Sequence, residues 1–449
     1  MRSANWWRRY GNEAPLPLRE REGPARASAW EGEGVTYETR TPPHPARAPR
    51  ESPSPARGEG QSLALYVHWP FCVSKCPYCD FNSHVRASID QGAWREALLA
   101  DLAYEARLLP GRRLTSIFFG GGTPSLMEPA TVAALIETAC AHWAPPADIE
   151  ITLEANPNSV EAARFADLAA AGVNRLSLGL QSFDDAALAF LGRAHSAREG
   201  FGALEIAQRN FRRVSFDLIY ALPGDTADSW SATLAQALSL GTSHLSLYQL
   251  TIEPGTRFAA LHAAGKLQPL DEDRAAALYE LTGAMTSAAH LPAYEISNHA
   301  RHGAESRHNL TYWRYGDYAG IGPGAHGRRL ASRTARHRKP ENFLSAVKRN
   351  AHGIAEEAQL APVEAADEAL VMGLRLSEGL DVDAVARRFG LDAIVDWDQV
   401  EQLAASGHLT RDGSRIALTV RGRLLLDHIL GRIAAISAVA AETLESAAA

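Results

Sequence analysis

Short apolar runs recur along the middle of the chain at intervals of about thirty residues, and stretches with helical periodicity fill the gaps. A strand and the helix that follows it take up about this length, so each interval corresponds to one βα unit. The runs are Leu63–Val67, Thr115–Phe119, Ile149–Leu153, Leu176–Leu180, Val214–Phe216 and Leu245–Tyr248. They predict an α/β fold with a parallel sheet, either closed toward a barrel or open and doubly wound.

A glycine or a polar residue stands at or near the end of each later run. In a parallel barrel the chemistry gathers where the strands end, so residues at these positions share one rim. A single residue of this kind could simply mark the start of a loop, but five in phase favour a shared site. The five are Gly121, Glu154, Gln181, Asp217 and Gln249.

The composition is typical of a soluble globular protein. Of 449 residues, 46% are hydrophobic and 22% are charged, and no run of 18 uncharged apolar residues occurs. A formal net charge of -7 excludes a global basic field for nucleic acid. Only four cysteines are present, which excludes a disulfide scaffold. We therefore expect a cytoplasmic protein that binds no nucleic acid.

We expect three units along the chain. Residues 1–60 hold 9 of the 24 prolines and show little apolar periodicity, so they are predicted to be a disordered Pro/Arg-rich extension. Within it, only the Trp6-Trp7 pair is a candidate for docking. Residues 61–355 contain the βα units, and residues 260–355 among them are less regular. Residues 360–449 form a separate C-terminal unit.

The C-terminal unit has the helix–turn–strand order of a winged helix. Helices are predicted over Pro362–Leu376 and Val382–Phe389, and a strand over Ile416–Val420. This pattern is more often a packing module than a DNA reader. Arg421–Ile436 is predicted to be a closing amphipathic helix, which packs on its own domain or lies at a membrane interface.

Three of the four cysteines stand in one loop directly after the first apolar run. Cys72, Cys76 and Cys79 have the spacing C-x3-C-x2-C, which suits three corners of an iron–sulfur cube. A structural zinc site usually has four ligands, for which His84 is the only nearby candidate. Cys140 lies far away in a predicted helix and is interpreted as a small buried hydrophobe. Three thiolates would leave one iron open.

The cysteine spacing, with an aromatic residue before the third cysteine, resembles the radical S-adenosylmethionine superfamily. The glycine turn Gly120–Pro124 agrees with the resemblance. It implies a [4Fe-4S] cluster, S-adenosylmethionine bound at the open iron, and a partial (β/α)6 TIM-like barrel with a small winged-helix-like C-terminal domain. The residues implied to bind S-adenosylmethionine are Tyr66, Tyr78, Gly121, Gly122, Thr123, Glu154, Gln181, Arg193 and Asp217.

Across residues 62–435, further motifs resemble the HemN/HemW group, which contains oxygen-independent coproporphyrinogen III oxidases and heme chaperones. Examples are Y-V-H-W-P-F-C, G-G-G-T-P-S, L-G-R-A-H and D-L-I-Y-A-L-P-G. The oxidase pattern has a fourth cysteine two residues after the third. Phe81 stands there instead, as in the HemW branch. The resemblance therefore implies heme carriage, with the oxidase reaction as the alternative and nucleic-acid modification as a third, disfavoured one.

The segment H-N-L-T-Y-W resembles a HemW stretch linked with heme binding. His308 is the expected axial ligand, since neutral histidine supplies a lone pair, and Tyr312 and Trp313 could stack on a porphyrin. His326 is the fallback ligand. Each of these could instead be an ordinary core residue. The resemblance further implies heme-requiring respiratory enzymes as clients and transient membrane contact, and the sequence leaves monomer and homodimer open.

Overall fold

The computed structural model describes residues 62–434. The predicted extension over residues 1–60, the Trp6-Trp7 pair and the last two residues of Arg421–Ile436 lie outside the described residues. The strands are β1 (Ser62–Trp69), β2 (Phe71–Cys72), β3 (His84–Val85), β4 (Arg113–Gly121), β5 (Glu150–Ala155), β6 (Arg175–Gln181), β7 (Arg213–Tyr220), β8 (His244–Gln249), β9 (Asn298–Ala300), β10 (Tyr318–Ile321), β11 (His326–Arg329), β12 (Ser332–Arg336), β13 (Ile354–Gln359), β14 (Leu380–Asp381), β15 (Leu409–Asp412) and β16 (Arg415–Leu418).

The α-helices are α1 (Gln91–Leu108), α2 (Pro129–His142), α3 (Ser159–Ala162), α4 (Phe165–Ala170), α5 (Asp185–Phe190), α6 (Ala197–Asn210), α7 (Ala227–Ser239), α8 (Arg257–Ala263), α9 (Glu272–Ala288), α10 (Arg307–Trp313), α11 (Pro340–Asn350), α12 (Pro362–Arg375), α13 (Val382–Phe389), α14 (Trp397–Ala405), α15 (Val420–Arg423) and α16 (Leu426–Ile433). Asp90 caps the start of α1 and Ser196 that of α6, as expected for oxygen-bearing N-cap residues.

The predicted βα rhythm is confirmed. The strands β1, β4, β5, β6, β7 and β8 lie side by side in that order, and all pair in parallel. Helices between them cover one face. Between β5 and β6 the helical stretch is divided into two short helices, α3 and α4.

The sheet is larger than the sequence predicted. It has 11 strands, because β10 pairs in parallel with β1 and is followed by β11, β12 and β13, while β9 pairs antiparallel with β8. Four of the five added strands lie in the less regular region over residues 260–355, and β13 begins at its end. Within the described residues β9 and β13 are the two edges, so the barrel is partial.

Along the parallel strands, successive side chains point alternately into the barrel lumen and toward the surrounding helices. The polar side chains are the ones that point into the lumen. Glu154, Arg175, Ser177, Asp217 and Ser246 all line an internal cavity. Their neighbours, among them Leu153, Leu176, Phe216 and Leu245, belong to the main hydrophobic core. The period-2 alternation of strands therefore separates an apolar layer from a polar barrel lumen. A lumen lined by charged groups is a candidate site, unlike the packed interior of a common TIM barrel.

The helix α10 lies at the floor of this lumen, where the parallel strands begin. The His308 backbone N–H donates to Glu150 at 3.2 Å, and the His308 ring contacts Ser116 at 3.0 Å. Ser116 lies near the start of β4, and Glu150 is the first residue of β5. The segment that resembles a heme-binding stretch is thus at the end of the barrel opposite the carboxyl ends of the strands.

A buried ion-pair network fastens the added strands to α1. Arg329 and Arg336, on β11 and β12, pair with Glu105 at 2.6 and 2.5 Å. Arg336 also lies 3.4 Å from Asp101. Burial alone would raise the pKa of Glu105, but the charges of Arg336 and Arg329 outweigh it and hold that pKa below its ordinary value. Such groups are stable inside a protein only while they stay paired.

The C-terminal residues form a small unit with its own core and a three-stranded antiparallel sheet in the order β14-β16-β15. The single closing helix predicted over Arg421–Ile436 is wrong, because α15 ends at Arg423 and α16 begins at Leu426. The apolar side chains of α16 are buried in this core, which fills the face that could have met a membrane. Among the described helices none is both long and apolar enough to cross a bilayer.

Candidate functional site

The three cysteines of the C-x3-C-x2-C loop lie together beyond the carboxyl ends of β1 and β4. Cys72 ends β2, and the loop returns to β3, which pairs in parallel with β2. Thr123 donates to the Cys72 thiol at 3.4 Å, and Arg193 donates to the Cys76 thiol at 3.5 Å. Burial raises the pKa of Cys79 to about 11. Iron binds thiolates, so loading this loop must release protons.

The donor set fits an iron–sulfur cluster better than a single metal ion. Within residues 62–434 no three His, Cys, Asp or Glu side chains converge closely enough to hold one ion. In a cubane cluster each cysteine binds a different iron, so the three thiols stand farther apart than around one metal. His84, the candidate fourth ligand, contacts Asn82 and lies on β3. Cys140 lies on α2 and packs against the main core.

The glycine turn after β4 passes directly over the cysteine loop. Gly121 has φ +112°, and a Cβ there would lie 2.7 Å from the His68 ring. A Cβ on Gly122 would lie 2.7 Å from the Phe71 carbonyl oxygen. Both positions therefore require glycine. The next residue, Thr123, joins the turn to the loop, since its backbone N–H donates to Phe71 at 2.8 Å.

Two buried carboxyl groups face each other inside the barrel. Glu154 lies near the end of β5 and accepts the Gly121 N–H at 3.2 Å. Asp217 lies in the middle of β7 rather than at its end, and it accepts from Ser177 at 3.4 Å. Burial, and then the Asp217 charge, raise the pKa of Glu154 to about 8. Burial raises the pKa of Asp217 to about 6. Such acids bind a cationic amino group or sugar hydroxyls.

Arg193 and Asn156 link the cysteine loop to the strand ends. Arg193 donates to Asn156 Oδ1 at 2.6 Å and to the Gly179 carbonyl at 2.9 Å. Asn156 Nδ2 donates to Thr123 at 2.9 Å. The Arg193 side chain also bonds to Tyr78, whose ring packs near Phe258. This network holds a guanidinium beside the thiols, where a carboxylate of a ligand can meet it.

Gln181 has a strained backbone at the end of β6. Its φ is +67°, and the pairing register with β7 shifts just before it. Gln181 Oε1 and Arg193 Nε are buried, and neither has a hydrogen-bond partner in the described protein. Strain and orphaned polar atoms are typical of a ligand site. The two unpaired atoms, Gln181 Oε1 and Arg193 Nε, fit the polar groups of S-adenosylmethionine. The residues around the glycine turn could bind the same molecule.

The side chain of Tyr66 lies inside the barrel lumen, whereas that of Gln249 is bound to an outer helix. Tyr66 is buried in the lumen, and its hydroxyl contacts His68 Nδ1 at 2.9 Å. Gln249 ends β8 as expected, but its side chain donates to the Ala275 carbonyl on α9 at 2.6 Å. Gln249 thus stands at the strand end that the sequence predicted, while its side-chain amide nitrogen is bound to the outer helix α9.

The three heme candidates do not form an open porphyrin site. His308 is buried, its Nδ1 contacts Ser116, and its Nε2 contacts the Tyr312 hydroxyl. Burial lowers the pKa of His308 to about 3, which keeps the ring neutral. Trp313 is buried elsewhere, with the Arg375 guanidinium 4.7 Å from its ring centre. His326 begins β11 and pairs with Ala335. The cavity beside His308 measures about 40 Å³, too small for a porphyrin ring.

Several residues of the site escaped the sequence analysis. Asn156 was not among the predicted site residues, although it bridges Thr123 and Arg193. Arg175, His244 and Asn298 line the same cavity as Glu154. A signal existed for Arg175, because a charged residue in the alternating run R-L-S-L-G-L-Q must face away from the apolar layer. A partial parallel barrel with a cysteine loop at its carboxyl rim defines the class: an iron–sulfur protein with a polar lumen.

Comparison with known proteins narrows the class. The model of the radical SAM superfamily matches residues 66–237, and that of the HemN C-terminal domain matches residues 360–425. The chain is 38% identical to the heme chaperone HemW of Escherichia coli over 381 residues, which are 82% of this chain and 97% of that protein. The chain belongs to the HemW family of the radical SAM superfamily.

Relatives occur in mitochondria as well as in bacteria. The chain is 39% identical over 414 residues to the mitochondrial radical S-adenosyl methionine domain-containing protein 1 of Bos taurus, covering 90% of each chain. The solved structure of the coproporphyrinogen III oxidase HemN from Escherichia coli aligns with a TM-score of 0.69 at 24% identity. That alignment covers 84% of this chain and 90% of the oxidase, and it shows a shared fold.

Proposed function

We propose that this protein is a heme chaperone, which binds heme and delivers it to heme-dependent proteins, with respiratory enzymes as its clients. The observation that carries the proposal is Phe81, which stands two residues after Cys79. The oxidase pattern has a cysteine at this position, and relatives that are 38% and 36% identical carry the name heme chaperone HemW. The Phe81 side chain is half-exposed beside the loop and offers no thiol.

Cys72, Cys76 and Cys79 would hold three irons of a [4Fe-4S] cluster. When bound, the cluster and S-adenosylmethionine together supply one-electron chemistry at the rim. The chain's own part is positioning. The Gly121 and Gly122 backbone approaches the ligand closely, Arg193 offers a guanidinium, and Glu154 offers a carboxyl group for a cationic amine. Tyr66, Tyr78, Thr123, Gln181 and Asp217 complete the proposed contacts.

His308 remains the proposed axial ligand of heme, but the geometry adds a condition. Nε2 of His308 is the nitrogen that Tyr312 occupies. Heme ligation therefore requires Tyr312 to release Nε2 and α10 to leave the barrel floor, because the lumen beside it does not hold a porphyrin. Tyr312 would then be free to stack on the ring. Trp313 would do so only if its contact with Arg375 also opens.

The proposal also includes where the protein works and what it contacts. Delivery to respiratory enzymes would bring the protein into transient contact with a membrane, while the chain itself works in the cytoplasm as a monomer or homodimer. Since the apolar side of α16 is buried, such contact would have to use another surface or the client itself.

An anaerobic turnover assay separates the chaperone from the alternative, an oxygen-independent coproporphyrinogen III oxidase. The reconstituted protein receives S-adenosylmethionine, a strong reductant and coproporphyrinogen III, with a known oxidase run in parallel. Protoporphyrinogen IX and 5′-deoxyadenosine are quantified. We expect no protoporphyrinogen above the cluster-free control. Its formation at the rate of the known oxidase would overturn the proposal and make this protein an enzyme despite Phe81.

Heme binding is measured directly in the same preparation. Heme is titrated into the cluster-loaded protein, and the growth of a Soret band gives the affinity. Transfer is then followed by mixing the loaded protein with an apo heme protein. We expect saturable binding and transfer faster than the release of heme into buffer. A protein that forms no saturable heme complex is not a heme chaperone, whatever its turnover result.

A further inference from the structure

The barrel lumen holds a cavity whose lining includes three proposed S-adenosylmethionine contacts, Tyr66, Glu154 and Asp217, and also a set of buried donors that these contacts leave unexplained. It measures about 40 Å³ and is lined by residues of β1, of β4 to β9 and of α10. That volume holds about three water molecules, or one group of three heavy atoms. Its upper part reaches Glu154 and Asp217, and its lower part reaches Arg175, His244 and Asn298.

Arg175 is a buried cation without a counter-ion. The residue is 3% exposed, and within residues 62–434 it forms no ion pair. Its hydrogen bonds go to two hydroxyl groups, Thr152 at 3.5 Å and Ser215 at 3.4 Å, and both are long. Its neighbour Arg213, by contrast, is paired with Glu150 at 3.2 Å. Burying an unpaired charge is strongly unfavourable, so its presence here is evidence for a bound anion.

Two further donors face the same space without a partner. Asn298 is 1% exposed, and its Nδ2 makes no hydrogen bond in the described protein. His244 is 3% exposed, and its Nδ1 is likewise unpartnered. The other ring nitrogen of His244 contacts the Tyr294 hydroxyl at 3.0 Å. When Tyr294 donates to that nitrogen, the ring proton of the neutral histidine sits on Nδ1, which is buried and has no acceptor in the described protein.

The charge of Arg175 favours the ionised form of Asp217, against the larger effect of burial, but within residues 62–434 the two side chains form no ion pair. Asp217 accepts from Ser177 in the middle of the lumen, and Glu154 accepts from the Gly121 backbone near the rim. Glu150 is committed to Arg213 and to the His308 backbone. Three buried donor residues therefore line one small space with no carboxylate at ion-pair distance from the guanidinium: Arg175, His244 and Asn298.

We propose that Arg175, His244 and Asn298 form a carboxylate-binding pocket at the floor of the barrel. A carboxylate has three heavy atoms, which matches the space, and its two oxygens can take the guanidinium fork together with the imidazole and amide donors. The carboxylate is either a free small acid or the propionate arm of a porphyrin. Neither the cluster nor its loop takes part in this pocket.

The first test measures thermal unfolding of the cluster-loaded protein with sodium propionate, against sodium chloride at equal ionic strength. A ligand of the native state raises the melting temperature. Arg175→Met removes a charge that lacks a counter-ion, so this variant is expected to fold and to keep its iron. We expect propionate to raise the melting temperature of the wild type by a few degrees and to leave Arg175→Met unchanged.

The second arm uses porphyrins. Heme and its dimethyl ester, which lacks free carboxylates, are titrated into the wild type and Arg175→Met. If the porphyrin is the source, the wild type binds heme at least about tenfold more tightly than the ester, and Arg175→Met removes the difference. Wild-type protein that binds no heme but responds to propionate refutes the chaperone proposal and leaves the pocket standing.

A tethered carboxylate gives an independent check should Arg175→Met fail to fold. Asn298→Asp places an acid inside the pocket and pairs Arg175 internally. It should raise the melting temperature and remove the response to propionate and to porphyrin carboxylates. Asn210→Asp, on the exposed surface of α6, is the matched control and should keep the wild-type responses. If neither propionate nor heme binding depends on Arg175 or Asn298, the cavity holds water only and the pocket is refuted.

Discussion

The Gly121 backbone N–H donates to Glu154 Oε2 at 3.2 Å, and this bond joins the ends of β4 and β5 beneath the cysteine loop. A glycine with φ +112° is thereby tied to a carboxyl group that burial makes hard to ionise. One amide is too weak a partner to offset the desolvation of a carboxylate. Glu154 therefore stays protonated near neutral pH until a cation reaches the rim.

We expect Glu154→Gln to stabilise the cofactor-free protein in a pH-dependent way. The folded pKa of about 8 exceeds the unfolded value of about 4.3, so the native state binds the extra proton between these values. Stability of the wild type must then fall as pH rises from about 4 to 8. Melting temperatures should be equal for both proteins at pH 4 and higher by several degrees for Glu154→Gln at pH 8.

Glu154→Gln should also weaken S-adenosylmethionine binding by about tenfold, because the neutral amide of glutamine cannot pair with a cationic amine. Asp217→Asn is the matched control for the stability effect, since its folded pKa is about 6 and its advantage should be complete near that pH. If Glu154→Gln shows no pH-dependent advantage, the carboxyl group ionises freely and is not the desolvated acid described here.

We expect alanine variants of the four cysteines to fall into two groups with different iron contents. Replacing Cys72, Cys76 or Cys79 with alanine removes one of three corner ligands, so reconstituted iron and sulfide should fall to background levels. Cys140→Ala should keep the wild-type iron content, because that residue lies on α2 against the core. Iron and sulfide are measured chemically per protein chain. Full iron content in Cys76→Ala would mean that another ligand replaces it.

The sequence was most informative where local periodicity and chemistry agree. The six parallel strands were predictable because each has an apolar outer face and is separated from the next by one helical unit. The cysteine loop and glycine turn were visible as contiguous motifs. The inward position of Asp217 was not, because an apolar run that stops at a polar residue looks like a strand end, whereas β7 continues to Tyr220.

Long-range pairing explains what the sequence did not reveal. The strand β10 pairs with β1, and side chains of β11 and β12 form ion pairs with α1, so the contacts that attach these short strands to the barrel are far away in sequence. Arg336 looks like a surface residue in the sequence S-R-T-A-R, yet it is buried against Asp101 and Glu105. Likewise the role of α10 as the barrel floor depends on Ser116 and Glu150, which only the folded chain brings to His308.

Glu105→Ala should destabilise the protein by about 3–5 kcal/mol, since it leaves Arg329 and Arg336 buried without their main partner. Glu357→Ala is the matched control, because it removes an exposed partner of the same Arg329 and should cost at most about 1 kcal/mol. Urea unfolding gives both values. Because the folded pKa of Glu105 is lowered, its stabilisation is present above pH of about 4.3 and is lost as pH falls further. An equal loss of unfolding free energy in Glu105→Ala and Glu357→Ala would contradict the stabilising role of the buried ion pairs.

The bond between Tyr312 and His308 supplies the sharpest test of the heme ligand. If His308 is the axial ligand, Tyr312 competes with iron for Nε2, so Tyr312→Phe should strengthen heme binding severalfold. His308→Ala should weaken it by at least about tenfold while leaving iron–sulfur content unchanged. Both are measured by Soret titration of the cluster-loaded protein. His326→Ala tests the fallback ligand. Unchanged heme affinity in both Tyr312→Phe and His308→Ala would remove His308 as a ligand and leave it as the residue that closes the barrel floor.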